Sequence, residues 1–210
     1  MLSPLTKFIA LRLSDDLVVD ERKMAIRPLI DYMQQQLDSQ LPIRLNFICT
    51  HNSRRSHLAQ VWAQVAAAYY AIPAVYSYSG GTEATALFPI VAETLAKQGL
   101  SLFRLSDGEN PIYAFKYAEN VAPIMGFSKR YDHPFNPASD FAAIMMCTQA
   151  DEGCPFIAGA SKRISLPYDD PKSADGSSLQ DDVYLQRSEE IAAAFFYAFS
   201  QLKNNVCNRA

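Results

Sequence analysis

Residues 43–60 read IRLNFICTHNSRRSHLAQ, and this passage decides the fold. The apolar run Ile43, Leu45, Phe47, Ile48 has the length and composition of a buried strand, and it stops at Cys49. A short polar turn, Thr50-His51-Asn52-Ser53-Arg54-Arg55, leads into a helical pattern that opens with Ser56. A strand that ends, turns and feeds a helix leaves backbone N–H groups at the helix start with no internal partner. Those donors, with the positive end of the helix dipole, suit a tetrahedral anion. Residues Thr50, His51, Asn52, Ser53, Arg54, Arg55 and Ser56 are therefore the expected oxyanion-binding set, with Arg55 adding a two-pronged guanidinium fork. Cys49 lies at the mouth of the turn, where a helix N-terminus and a guanidinium favour the thiolate, and Ser56 is placed to donate a hydrogen bond to its sulfur. The chemistry implied is attack on a bound oxyanion by a cysteine nucleophile. The plainer alternative makes Cys49 a packed strand-end residue and Arg55 a surface charge. Four specified residues at fixed spacing coincide by chance roughly once in 160,000 starts, which favours the functional reading.

Composition narrows the setting. The chain has 210 residues, 49% apolar and 20% charged, enough for one sizeable core and unlike a disordered sequence. A net charge of −3 suggests neither a nucleic-acid surface nor a polybasic membrane patch. The most apolar helical stretches, near 65–75 and 191–202, are too short to span a bilayer. The opening MLSPLTKFIALRLSDD lacks the pattern of a secretion signal, so the expected location is cytoplasmic. In a reducing compartment the four cysteines, Cys49, Cys147, Cys154 and Cys207, serve packing, metal binding or catalysis rather than stapling. Zinc is not expected, since no pair has C-x₂₋₄-C spacing and only His51, His57 and His133 are available. No cofactor is implied.

Residues 20–40 read as an amphipathic helix through Ile26, Leu29, Ile30, Met33 and Leu37, with Pro28 starting or kinking it. Residues 1–19 are mixed in pattern, and residues 1–40 together are read as an N-terminal helical extension packed on a domain spanning 41–210, with an exchanged or dimer-forming arm as the alternative. Ser56–Tyr70 is a helix with Trp62 in the core, Val75–Tyr78 a strand, and Pro89–Gln98 a helix stopped by Gly99. Residues 104–139 are the least regular and rich in aromatics, most of which pack down while one or two rim the active-site mouth. Phe141–Met146 is a third strand ending at Cys147, residues 162–166 a fourth, and 182–203 the last helix. Alternating strands and helices predict an α/β fold with a parallel sheet. Chemistry in such sheets gathers at the strands' carboxyl ends, so Cys49, Cys147 and the segment after 166 can share one cleft.

Cys49-x-x-Asn52-x-x-Arg55-Ser56 resembles the phosphate loop of the low-molecular-weight protein tyrosine phosphatase family, whose fold and loop the thioredoxin-coupled arsenate reductases share. The resemblance covers about residues 43–203 and implies a three-layer α/β/α fold around a central four-stranded parallel sheet. Asp170, in Tyr168-Asp169-Asp170-Pro171, matches the family's catalytic Asp-Pro, a general acid for the departing oxygen; Asp169 matches a second aspartate of the reductase branch. Cys147-x₆-Cys154-Pro155 after a buried strand closely resembles the reductases, which use three cysteines. What it implies is that Cys147 attacks Cys49 after arsenate has bound and Cys154 then resolves the pair, leaving a disulfide for thioredoxin. The other reading makes Cys147 a packed core residue and Cys154 incidental; Cys207 is read as incidental. Three positions depart from the family. His51 stands where it usually has glycine, Arg54 where a second loop cysteine often lies, and Gln60 where some reductases have a glutamate of a potassium site, so no bound potassium is implied. Three functions follow in order: arsenate reduction, with arsenic resistance as its setting; hydrolysis of phosphomonoesters including phosphotyrosine by Cys49, Arg55 and Asp170; and a redox-sensing or oxyanion-binding regulator, against which the general acid argues.

Overall fold

The structure, a computed structural model, describes residues 1–14, 18–154 and 156–203; Cys207 and Pro155 lie outside them. Strand β1 (Ile43–Cys49) lies inside a four-stranded sheet, order β2-β1-β6-β7, with β2 (Val75–Gly81), β6 (Phe141–Met145) and β7 (Ala160–Ser165) all parallel to their neighbours. An interior parallel strand is covered on both faces, which explains its near-continuous apolar sequence. The register sets Cys49 opposite Gly81 and Ile48 opposite Met145, so these strands finish at one edge.

Among the described residues six helices accompany the sheet: α1 (Ser3–Arg12), α2 (Asp20–Asp38), α3 (Arg55–Tyr69), α4 (Pro89–Lys97), α5 (Thr148–Gly153) and α6 (Gln180–Ser200). Helix α3 packs on α6 and the sheet; Trp62 is fully buried, and its indole N–H donates to Ser188 Oγ at 2.8 Å. Phe47 meets Phe195 of α6 edge-on at 5.1 Å. Strand alternation sends the neighbouring Asn46 to the opposite face, where its amide donates to the carbonyl of Tyr131.

The first two helices are built into the same core. Leu5 and Ile9 of α1 are buried, and Phe8 stacks on Trp62 at 5.8 Å. Ile26, Leu29, Ile30 and Met33 of α2 are buried as their spacing predicts, but Pro28 lies inside the helix rather than at its start. Gly99 ends α4 with φ +103°, and a Cβ there would lie 2.7 Å from Leu5 Cα, so α1 rests directly on a bare backbone.

The stretch expected to be least regular contains order that the sequence reading missed. β3 (Ser101–Arg104), β4 (Tyr113–Lys116) and β5 (Ile124–Gly126) form an antiparallel three-stranded sheet. Strands of three or four residues between glycines and prolines are too short to show alternation. Tyr113 and Phe115 are buried, while Phe135 stays exposed.

Beyond β2 the chain folds against the Cys49 turn. Thr82 N donates to Cys49 O, Glu83 N to Thr50 O, and Gly81 N to Lys129 O. A Cβ on Gly81 would stand 2.7 Å from Thr50 O and 2.8 Å from Asn52 N. Gly81→Ala is therefore expected to lower stability by about 1–3 kcal/mol, an overpacking effect measurable as a reduced urea midpoint.

Candidate active site

The Cys49 turn is held by its own side chains. Asn52 has φ +45°, a left-handed conformation that asparagine tolerates better than most residues. Its Nδ2 donates to Ser56 Oγ at 2.8 Å, and its Oδ1 accepts from Lys129 N at 2.9 Å. Ser56 Oγ in turn lies 3.1 Å from Cys49 Sγ. Asn52, Ser56 and Cys49 are all buried, so the sulfur sits in a fixed polar frame at the start of α3.

The two arginines diverge because Arg55 opens α3 while Arg54 stands just outside it with non-helical backbone angles, φ −131° and ψ −87°. Arg55 reaches the segment after β7: Nη1 donates to Tyr168 O at 2.9 Å and Nη2 meets Asp170 Oδ2 at 2.5 Å. Its Nε is buried and has no partner among the described residues. Arg54 turns the other way, onto Asp175 Oδ2 and Tyr184 OH, each at 2.5 Å, with its guanidinium over the Phe88 ring. Its positive charge is thus matched by a carboxylate outside the expected oxyanion set. His51 carries its side chain outward, 3.6 Å from Glu83, while its carbonyl accepts from Thr85 and Ser128; the turn accommodates a side chain there. Ser53 O accepts from Phe88 N.

Asp170 Oδ1 accepts from Lys172 N and caps a short 3-10 turn, Pro171–Ala174. This loop is fixed from behind by α2: Arg22 donates to Pro167 O at 2.9 Å and stacks on the Tyr168 ring at 4.1 Å. Burial pushes the Tyr168 phenol up to about 12. Asp169 is exposed and 3.4 Å from Arg187.

Cys147 follows β6, buried, with its Sγ 3.5 Å from Thr50 Oγ1. It precedes α5, and Cys154 follows that helix, half-buried, its N–H bonded to Ala150 O and its carbonyl accepting from Arg163. All three described cysteines are free thiols. The structure thus gathers Cys49, Cys147, Arg55 and Asp170 around one turn and sets Cys154 at the far end of a short helix. Among the described residues, no group of three or more His, Cys, Asp and Glu is placed to hold a metal ion, and no helix is long and apolar enough to cross a membrane. Gln60 spends its amide N–H groups on the carbonyls of Ser77 and Met125.

Sequence reading missed the support behind Asn52. His57 Nε2 lies 2.9 Å from Asn52 O, and its Nδ1 3.2 Å from Ser79 Oγ. Lys129 is buried, with its ammonium 3.4 Å from Ser79 Oγ and 3.3 Å from Phe127 O, facing the rings of Phe127 and Phe135. Burial pulls the Lys129 ammonium down to about 7; burial first and the Lys129 charge second pull the His57 imidazole down to about 3. The unfolded chain binds a proton at His57 near pH 6.5 that the native state refuses until about pH 3, so this group's share of stability is lost as pH falls across that window. His57→Gln is expected to flatten the fall of the urea midpoint between pH 6.5 and 3, read by pairwise unfolding of the two proteins.

No family model and no curated protein matches this sequence. Solved structures do. A low-molecular-weight protein tyrosine phosphatase from Bacillus subtilis aligns with a TM-score of 0.52 at 18% identity, over 78% of this chain and 99% of its own. A mutant of the YwlE arginine phosphatase with a phosphorylated active-site serine gives 0.52 at 17%, over 79% and 99%. An arsenate reductase in the phosphate-binding state gives 0.48 at 17%, over 77% and 99%. At such identities the likeness is one of architecture: this chain has the fold of the low-molecular-weight protein tyrosine phosphatases.

Proposed function

We propose that the protein is an arsenate reductase that works through three thiols in turn. The observation that carries this reading is the contact of Cys147 Sγ with Thr50 Oγ1, which puts a second buried thiol against the turn that follows the first. A hydrolase using Cys49 alone has no need of that sulfur. The helix between Cys147 and Cys154 is six residues long, short enough to unwind at modest cost.

The oxyanion rests on the backbone donors at the start of α3 and on Arg55, whose buried unpartnered Nε offers a further hydrogen bond. Asp170, held beside the turn by Arg55, is the group placed to hand a proton to the departing oxygen. Cys49 thiolate attacks arsenic; one oxygen leaves as water with the Asp170 proton. Cys147 thiolate then attacks the Cys49 sulfur, the S–As pair stays on arsenic, and arsenic(V) departs as arsenite. Cys154 attacks Cys147, freeing Cys49 and leaving a Cys147–Cys154 disulfide. A dithiol protein of the thioredoxin class returns the two electrons.

The second reading, phosphomonoester hydrolysis, is favoured by the complete set of Cys49, Arg55 and Asp170, which suffices for transfer of phosphate to sulfur and on to water. Both substrates are tetrahedral dianions, so one site serves either. Cys147→Ser is expected to lower arsenate turnover, assayed with thioredoxin and its reductase, by about 100-fold or more while p-nitrophenyl phosphate hydrolysis stays within roughly twofold. Loss of both activities would contradict this division of labour. Asp170→Asn is expected to slow p-nitrophenyl phosphate hydrolysis by about 10²–10⁴, measured as kcat under saturating substrate.

A further inference from the structure

The least explained group near the site is Lys129. Its side chain is buried, and among the described residues it makes no salt bridge. Its surroundings are one hydroxyl, one carbonyl, two phenyl faces and the neutral His57. A buried charge without a counter-ion is destabilising, so its presence calls for a physical reason.

The reason lies in the direction of the hydrogen bonds. Asn52 O can only accept, so His57 Nε2 carries the ring proton. The neutral ring therefore accepts at Nδ1, and Ser79 donates its hydroxyl proton there. With that proton committed, Ser79 Oγ accepts from the Lys129 ammonium. On the far side of Asn52, Nδ2 donates to Ser56 Oγ, which turns the Ser56 proton toward Cys49 Sγ. Every link has its donor on the Lys129 side and its acceptor on the Cys49 side. The chain starts at a cation and ends at a sulfur. The Lys129 backbone N–H also holds Asn52 Oδ1, so one residue grips Asn52 from two directions.

We propose that Lys129 is a positioning residue for Cys49: its buried ammonium fixes Ser79 and His57, which with the Lys129 backbone N–H hold Asn52 in place and so aim the Ser56 hydroxyl at the Cys49 sulfur. This rests on the reading of Cys49 as the nucleophile.

The test uses the full-length protein. Lys129→Met keeps length and removes charge. It is expected to melt no lower than the parent, yet to slow iodoacetamide alkylation of Cys49 at pH 6, followed by peptide mass mapping, about tenfold. Ser79→Ala cuts the chain with Lys129 still present and is expected to slow alkylation as well; if Lys129→Met does not fold, this variant decides alone. Parent-like alkylation in the folded variants overturns the proposal. Cys49→Ser that still turns over arsenate or p-nitrophenyl phosphate overturns instead the nucleophile reading beneath it, so the two failures fall on different proteins.

Discussion

The site depends on one backbone constraint: the chain must reverse between Cys49 at the end of β1 and Arg55 at the start of α3. Asn52 meets that constraint by taking a left-handed conformation and binding Ser56 through its own side chain. The same residue is held from outside by Lys129 N and His57. A turn fixed at its middle residue by its own side chain and by two outside partners has few alternative conformations open to it. The placement of Cys49 then follows from where the strand ends and the helix begins.

The neighbouring elements bear on the same few residues. Gly81 allows the end of β2 to lie against Thr50 and Asn52, and the 128–131 segment seals the other side. Arg55 extends from the turn to Tyr168 and Asp170, tying the edge of β1 to the segment after β7. The sheet supplies the common edge on which these loops meet.

How much of this was readable in the sequence follows the distance between partners along the chain. Strand, turn and helix at 43–60 are contiguous, so period and turn chemistry reveal them, and with them Cys49, Arg55 and Ser56. In the parallel sheet the inner strands β1 and β6 are apolar runs of ordinary length and are equally visible, while the edge strands β2 (VYSYSGG) and β7 (ASKRIS) are largely polar and leave a weaker trace. The small β3-β4-β5 sheet is not, because its strands are too brief to show a period. Arg54 adjoins Arg55 in the sequence, and only the structure shows that its side chain runs to Asp175 and Tyr184 instead of following its neighbour to Asp170. The Lys129–Ser79–His57 support joins three separate segments through single contacts. No local pattern records such a meeting.

Arg22 gives the N-terminal helices a share in the reaction loop. It belongs to α2, whose apolar face is locked into the core, yet its guanidinium grips Pro167 O and covers Tyr168, just ahead of Asp170. Docking of α2 and placement of the Asp170 segment therefore draw on one shared free energy. Whatever lifts α2 from its seat loosens the Asp170 segment at the same time, and whatever fixes that segment tightens α2 in return.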